Sequence, residues 1–300
     1  MPRIVSLIAS ATEIVDALGQ IGHLVGRSHE CDFPEAVKRL PVCTRPRIDV
    51  NADSREIDRQ VKQSAQSSIS IYDVFDDVLA GLEPTHILTQ IQCEVCAVSL
   101  RDVEAALARG LRGQPKIVSL QPNSLEDIWD DIRRVACALE IADRGEEVIR
   151  NLQHRMADLR PAAPSGQSVA CIEWLDPLMA AGNWTPELIG MAGGVNRFGQ
   201  AGRHSPWMNW EELRAADPDV LIVAPCGFDL DRTVREMHWL TDRPEWRELR
   251  AVRTGGVYLA DGNQYFNRPG PRVAETLEIV VEILTGGDRL RGIAWRPALS

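Results

Sequence analysis

The chain is predicted to be an α/β protein of two lobes, each with a mostly parallel sheet, joined by a long interdomain α-helix. Three observations predict this. Short apolar runs of strand length alternate with helical patterns in the first 122 residues and again after residue 166, as βα units require. Between them a helical pattern runs almost unbroken over residues 124–159. The 300 residues also suffice for two ordinary hydrophobic cores.

In the first lobe (1–122) the apolar run 4–7 predicts a strand, and Thr12 caps a predicted helix over 12–18. A strand over 23–26 and a short helix over 34–40, opening on Pro34, come next. Helical spacing predicts helices over 53–64 and 74–82. The Glu83-Pro84 turn leads into a strand ending at Gln90, followed by a helix over 101–109 and a strand over 116–120. The interdomain region (123–166) opens on the capping box Ser124-Leu125-Glu126-Asp127, breaks near Asp143 and Gly145, and ends in a Pro- and Gly-bearing linker over 161–166. The second lobe (167–300) carries strands over 169–174, 220–224 and 257–260 and a last helix over 272–284. Both lobes read as Rossmann-like. An acidic-Pro turn, an apolar strand and a terminal cysteine occur once in each, at Glu83-Pro84 to Cys93 and at Asp217-Pro218 to Cys226. Thr12-Glu13-Ile14 is similarly answered by Thr185-Pro186-Glu187-Leu188, each Thr placed to cap a helix.

A formal net charge of −10 argues against nucleic acid or an anionic membrane surface as partner. No stretch approaches the roughly 18 apolar residues needed to span a bilayer, so no membrane insertion is expected. The run Ile4 to Ala9 after Arg3 imitates a short export signal, but Thr12-Glu13 interrupts it. Seven cysteines, an odd number scattered along the chain, do not form a secreted disulfide framework and place the protein in a reducing cytoplasm.

Ligands of open α/β folds sit at the carboxyl ends of strands, and four cysteines follow such ends: Cys31, Cys93, Cys96 and Cys226. Cys93-Glu94-Val95-Cys96 holds two thiols at a spacing that grips one metal ion or exchanges a disulfide. With Cys31, Cys226 or the imidazoles of His29 and His204, it would complete a zinc or iron–sulfur site. A thiol pair and plain burial stay open for the same residues, and Cys226 beside Pro225 also suits a small apolar core position. Cys137 and Cys171 read as buried structural residues, and Cys43 has no pattern to support a role.

Six of the eight tryptophans lie between residues 170 and 250. Trp210, Trp239 and Trp246 have the spacing of residues that pack short helices, whereas Trp184 and Trp207 sit among Gly182, Asn183, Ser205 and Pro206 and suit the wall of a pocket for a planar ligand. The segment 261–271 presents Tyr265, Phe266 and Arg268 on a loop framed by Gly and Pro, a binding loop by composition. Arg268 would equally serve an ion pair. No Gly-X-Ser-X-Gly, P-loop, His-Glu-X-X-His or Gly-X-Gly-X-X-Gly motif follows a predicted strand, and no carboxylate pair stands out, so a binding protein is a better reading than an enzyme.

Arg3-Ile4-Val5-Ser6-Leu7 with Ser10-Ala11-Thr12-Glu13-Ile14, and Val25-Gly26-Arg27-Ser28-His29 with Cys31-Asp32-Phe33-Pro34, resemble the opening of the cobalamin-binding, class III periplasmic-binding-protein-like family of ABC transporters. Trp184-Thr185-Pro186-Glu187-Leu188, Ala192-Gly193-Gly194-Val195-Asn196 and Asp217-Pro218-Asp219-Val220-Leu221 resemble its second lobe, so the likeness covers about residues 1–285. The resemblance implies a corrinoid such as cobalamin, a haem or another small-molecule metal chelate held in the inter-lobe cleft. It implies ligand contacts from Ser10, Thr12, the segment His29 to Phe33, and Trp184. The absence of an evident export signal, with Cys31 and the Cys-X-X-Cys, points to a cytoplasmic branch that would meet a transporter permease only if exported. The alternative is a cytoplasmic metal or iron–sulfur redox protein using Cys31, Cys93, Cys96 and Cys226.

Overall fold

The structure, a computed structural model, describes residues 1–67, 70–90 and 114–298. It divides into two units. The first comprises Met1–Ala52, Glu56–Pro122 and Glu126–Asn151; the second comprises Asp53–Arg55, Asn123–Leu125 and Leu152–Ser300.

The elements run β1 (Ile4–Ser6), α1 (Ala9–Ala17), β2 (Leu24–Arg27), β3 (Thr44–Pro46), α2 (Ser54–Gln66), β4 (Tyr72–Val74), α3 (Asp76–Gly81), β5 (His86–Gln90), β6 (Lys116–Leu120), α4 (Leu125–Ala138) and α5 (Ala142–Leu159). The main sheet of the first unit has the order β2-β1-β5-β6 and is parallel throughout. Strands covered on both faces read as near-continuous apolar runs, which is why β1 is buried at every position. Val5, Leu7, Ile71, Leu79 and Ile87 form a core on one face, joined by Cys43 and Tyr72. Beside it, β3 and β4 make a separate antiparallel pair.

Three local expectations change here. The predicted helix over 74–82 is the end of strand β4 followed by the six-residue α3, because pairing with β3 overrides helical spacing. Helix α1 starts at Ala9, three residues before the expected cap, so Thr12 lies inside it and its N-cap is Ile8, with no capping side chain. The helical region after residue 124 is carried by two helices, α4 and α5, parted at Glu140, whose φ of 61° lies in the left-handed region. Gly145 does not break α5. A Cβ there would meet the Ala136 Cβ at 2.6 Å, so glycine is what lets α5 lie close against α4. The division between the units falls inside α5, after Asn151.

In the second unit follow β7 (Ser168–Trp174), β8 (Met179–Ala180), α6 (Thr185–Met191), β9 (Val195–Asn196), α7 (Trp210–Ala216), β10 (Val220–Val223), α8 (Leu230–Glu236), α9 (His238–Thr241), α10 (Arg250–Arg253), β11 (Val257–Ala260), α11 (Val273–Thr285) and β12 (Trp295–Pro297). The sheet order is β12-β11-β10-β7-β8, with β9 also paired to β7. Strands β7, β10 and β11 are parallel, while β8 and β12 close the edges antiparallel. Trp246 is buried in the core and Trp210 and Trp239 pack against it, the helix-packing role their spacing predicts. Helix α7 opens on a reciprocal capping box between Asn209 and Glu212. The Glu282 carboxylate of α11 accepts from Leu290 N–H and from Trp295 Nε1–H at 2.7 Å, tying the terminal segment down. Thr185, expected as a cap, is the first residue of α6; its N-cap is Trp184, and Pro186 is the second helical residue.

Among the described residues no helix is long and apolar enough to cross a membrane.

Candidate ligand-binding site

In the first unit the chain changes direction at β1: β2 lies on one side of it and β5 on the other, so loops at their carboxyl ends part and leave a switch point. The residues nearest that point knit into a buried network. Ser6 Oγ donates to Ile8 O at 2.9 Å, and Thr12 Oγ1 lies 2.9 Å from Ser6 Oγ and 3.0 Å from Cys31 Sγ. Cys31 Sγ in turn lies 3.5 Å from Ser28 Oγ. Thr12 and Cys31 have no solvent exposure, so Thr12 acts as scaffold for the β1 and β2 loops. Burial pushes the Cys31 thiol above its ordinary range against the pull of the Thr12 and Ser28 hydroxyls, which leaves it protonated at neutral pH.

His29 is fixed by Thr44, whose Oγ1 accepts from His29 N–H at 3.1 Å and lies 2.8 Å from Nδ1, and its ring leans on Tyr72. Burial, with the Arg27 charge, lowers its pKa to about 4, so it is a neutral imidazole. Phe33 precedes a cis Pro34 and is 38% exposed. Among the described residues the hydroxyl of Ser10, buried to 1%, has no partner, nor has Oε1 of Gln90 on β5, buried to 3%. The sequence reading did not single out Gln90, which closes β5 as a polar residue after Ile87, Leu88 and Thr89.

In the second unit side chains fasten mostly to backbone. Asp261 caps a five-residue π-helical turn, Gly262–Phe266, accepting from Gln264 N–H at 2.6 Å. Asn267 Nδ2 donates to Ala224 O at 3.1 Å, fastening this turn to the end of β10. Phe266 is buried, Arg272 lies 5.2 Å over the Tyr265 ring, and Arg268, 4% exposed, donates to Asn263 Oδ1. Trp184 is buried to 5%, its indole N–H without a partner among the described residues, while Trp207 is 55% exposed. Ser205 joins the same region to the sheet: its hydroxyl accepts from Gly182 N–H and donates to Glu173 at 2.8 Å. His204 Nδ1 lies 2.9 Å from Ser205 O, and Cys226 is half-buried, its N–H on Glu173 O.

The metal expectation rested on Cys31, Cys93, Cys96 and Cys226. Cys93 and Cys96 lie outside the described residues, and among the described residues no three His, Cys, Asp or Glu side chains gather to hold a metal ion. Cys171 is buried in β7 as expected; Cys137, expected to be buried, is exposed because α4 turns that position outward.

A family model described as periplasmic binding protein matches residues 4–263. A vitamin B12-binding protein of Vibrio vulnificus is 23% identical over 291 residues, covering 93% of this chain and 89% of that protein. The vitamin B12-binding protein of Vibrio cholerae is 25% identical over 176 residues, and the match spans 59% of its length. Among solved structures, the apo periplasmic haem-binding protein RhuT from Roseiflexus sp. RS-1 superposes with a TM-score of 0.70 at 23% identity, covering 95% of this chain and 98% of that one. The periplasmic vitamin B12-binding protein BtuF of Vibrio cholerae gives 0.60 at 20% identity, covering 96% and 98%. These likenesses establish the two-lobe α/β fold.

They also overturn the cytoplasmic placement and the cytoplasmic branch, since the matched family is periplasmic. The cysteine count misled because a thiol sealed in a core needs no reducing compartment: Cys31, Cys43 and Cys171 are all buried. With its family model matched from residue 4 to residue 263, this chain belongs to the periplasmic binding protein family.

Proposed function

We propose that the protein is the substrate-binding component of an ABC transporter for a tetrapyrrole-type metal chelate, a corrinoid or a haem, working in the periplasm and handing its ligand to a membrane permease. The family match over residues 4–263 carries this reading, and the vitamin B12-binding relative that matches along 93% of the chain supports it. Each unit offers side chains suited to a large, flat, largely apolar ligand. In the first, Phe33 presents exposed ring area and His29 a neutral imidazole; Ser10 adds a hydroxyl. In the second, Trp207 presents exposed ring area, with Trp184, Tyr265, Phe266 and Arg268 on the framed loops. Flat rings with two χ angles gain contact area at small entropic loss, so little rearrangement is needed on binding.

Quenching of tryptophan fluorescence by cyanocobalamin and by haemin, repeated by calorimetry, tests the reading. Saturable one-to-one binding of either ligand in the micromolar range or tighter is expected. Absence of saturable binding by both would falsify it.

A further inference from the structure

Asp131 stands in the buried stripe of α4 formed by Ile128, Ile132 and Val135 and is itself 1% exposed. Helical packing alone calls for an apolar residue there, since a carboxylate loses its hydration when buried. What it meets is the end of β6. Both carboxylate oxygens lie within reach of Gln121 N–H, at 3.2 Å and 3.1 Å, and Gln121 is the residue that follows the strand. Arg134, one turn further along α4, pairs with Asp131 Oδ1 and donates to Ser119 O at 3.2 Å. Two backbone groups flanking Leu120 are thus gripped by two side chains of one helix, and the grip runs through one titratable group.

The charge of that group is poorly supported. The Arg134 side chain is 43% exposed, so water weakens the pair. Asp127 and Asp130, on the same helix, oppose a negative charge at Asp131. Arg133 is engaged by Glu126, by Asp130 and, from α5, by Glu146. From β6, Lys116 donates to Ala138 O at 3.4 Å, at the far end of α4. Burial therefore dominates and raises the Asp131 carboxyl to about 7, with Gln121 N–H and the Arg134 charge opposing. A carboxyl that ionises more easily in water than in place favours, once ionised, any state that lets water in. Separating Gln121 from Asp131 admits water at the loss of one backbone hydrogen bond and leaves the apolar stripe of α4 packed.

We propose that Asp131 and the end of β6 form a proton-sensitive latch, closed on Gln121 while the carboxyl holds its proton and released as it ionises. A protonated carboxyl still accepts from Gln121 N–H through its carbonyl oxygen, so closure needs no charge. The latch sits at a strand's carboxyl end, where open α/β folds carry their binding loops, and it is independent of which ligand is bound.

Backbone amide exchange of the full chain, corrected for the intrinsic pH dependence and resolved by NMR, tests it. For Gln121 the opening equilibrium should rise about tenfold per pH unit between about pH 5 and 6.5 and level off above about pH 7. At each pH Gln121 should be at least about tenfold less protected than Ile128 and Ile132. Equal protection would make the opening that of the whole unit and overturn the latch. Asp131→Asn keeps an acceptor oxygen but cannot ionise, so its Gln121 profile should be flat with pH. A flat profile in wild type, or a slope that persists in Asp131→Asn, overturns the proposal. Where that variant does not fold, the carbon-13 titration of the Asp131 carboxyl in wild type decides. Its midpoint should coincide with the pH at which Gln121 opening levels off, and a midpoint near the ordinary value of about 4 overturns the latch.

Discussion

The two units fix the carboxyl ends of their strands by different means. In the first, side chains do it: Ser6, Thr12, Ser28 and Cys31 link the loops after β1 and β2. In the second, side chains bond chiefly to backbone, and backbone is also pressed against backbone. A Cβ on Gly262 would stand 2.0 Å from Pro225 O, and one on Gly199 would stand 2.2 Å from Ala181 O. The contrast teaches where each unit tolerates change. A side-chain network loses one bond at a time, whereas a backbone approach either fits or does not.

The largest effect should therefore come from Gly262→Ala. No rotamer relieves a clash with a carbonyl oxygen, so we expect a loss of about 3 kcal/mol or more in urea unfolding. Gly26→Ala in the first unit is the control: its Cβ would meet Leu82 Cδ1 at 2.5 Å and Cys43 Sγ at 2.9 Å, both ends of side chains that can move. A loss of about 1–2 kcal/mol is expected there, and equal losses at the two glycines would remove the contrast.

Next comes Thr12→Val, which keeps the shape and deletes the hydroxyl between Ser6 and Cys31. Its unfolding free energy should drop by about 1–3 kcal/mol. Ser10→Ala, two residues earlier, should change stability by less than about 0.5 kcal/mol, since its hydroxyl has no partner among the described residues. A large loss at Ser10 would mean that the hydroxyl serves the fold and not a ligand.

The units should also respond oppositely to pH. Burial raises the Asp131 carboxyl of the first unit to about 7, opposed by Gln121 N–H and the Arg134 charge. Its native form holds a proton that the unfolded chain releases near pH 4, so stability falls as pH rises from about 4 to about 7. In the second unit the Ser168 hydroxyl and N–H, with Arg250, hold Asp219 down to about 2. That contribution is present above about pH 4 and is lost as the pH drops toward 2. Urea midpoints followed across pH should show the neutral-side decline flatten in Asp131→Asn and the acid-side decline weaken in Asp219→Asn.

The smallest effect is chemical. Site-resolved maleimide labelling of the native protein should modify Cys137 and spare Cys31, Cys43 and Cys171 until the chain unfolds. The Cys43 thiol, raised by burial to about 11, is doubly protected, by closure and by protonation.

Much of this was legible in the sequence wherever burial is uniform. The runs at 116–120 and 257–260 are the strands β6 and β11 residue for residue, and β11 is apolar throughout because a strand covered on both faces has to be. The short strands β8, β9 and β12 were not legible. Two or three residues carry no period, and only a finished neighbouring edge makes them strands. Of the residues named from sequence, Ser10 and Trp184 are buried with polar atoms that have no partner among the described residues, while the Thr12 hydroxyl bonds Ser6 and Cys31. Gln90 was passed over because its meaning depends on what stands beside it in the sheet.

The sequence by itself determined the α/β class, the alternation of elements and the loops where function would sit, since these follow from local periodicity and turn chemistry. Tertiary structure decided whether a cysteine is buried or exposed, whether a threonine starts a helix or lies within it, and which polar groups among the described residues remain unsatisfied. Each of those depends on partners far away in sequence, and Cys31 shows it: Thr12 is 19 residues before it and Ser6 is 25. No local pattern encodes such a meeting; it exists only once the strands have paired.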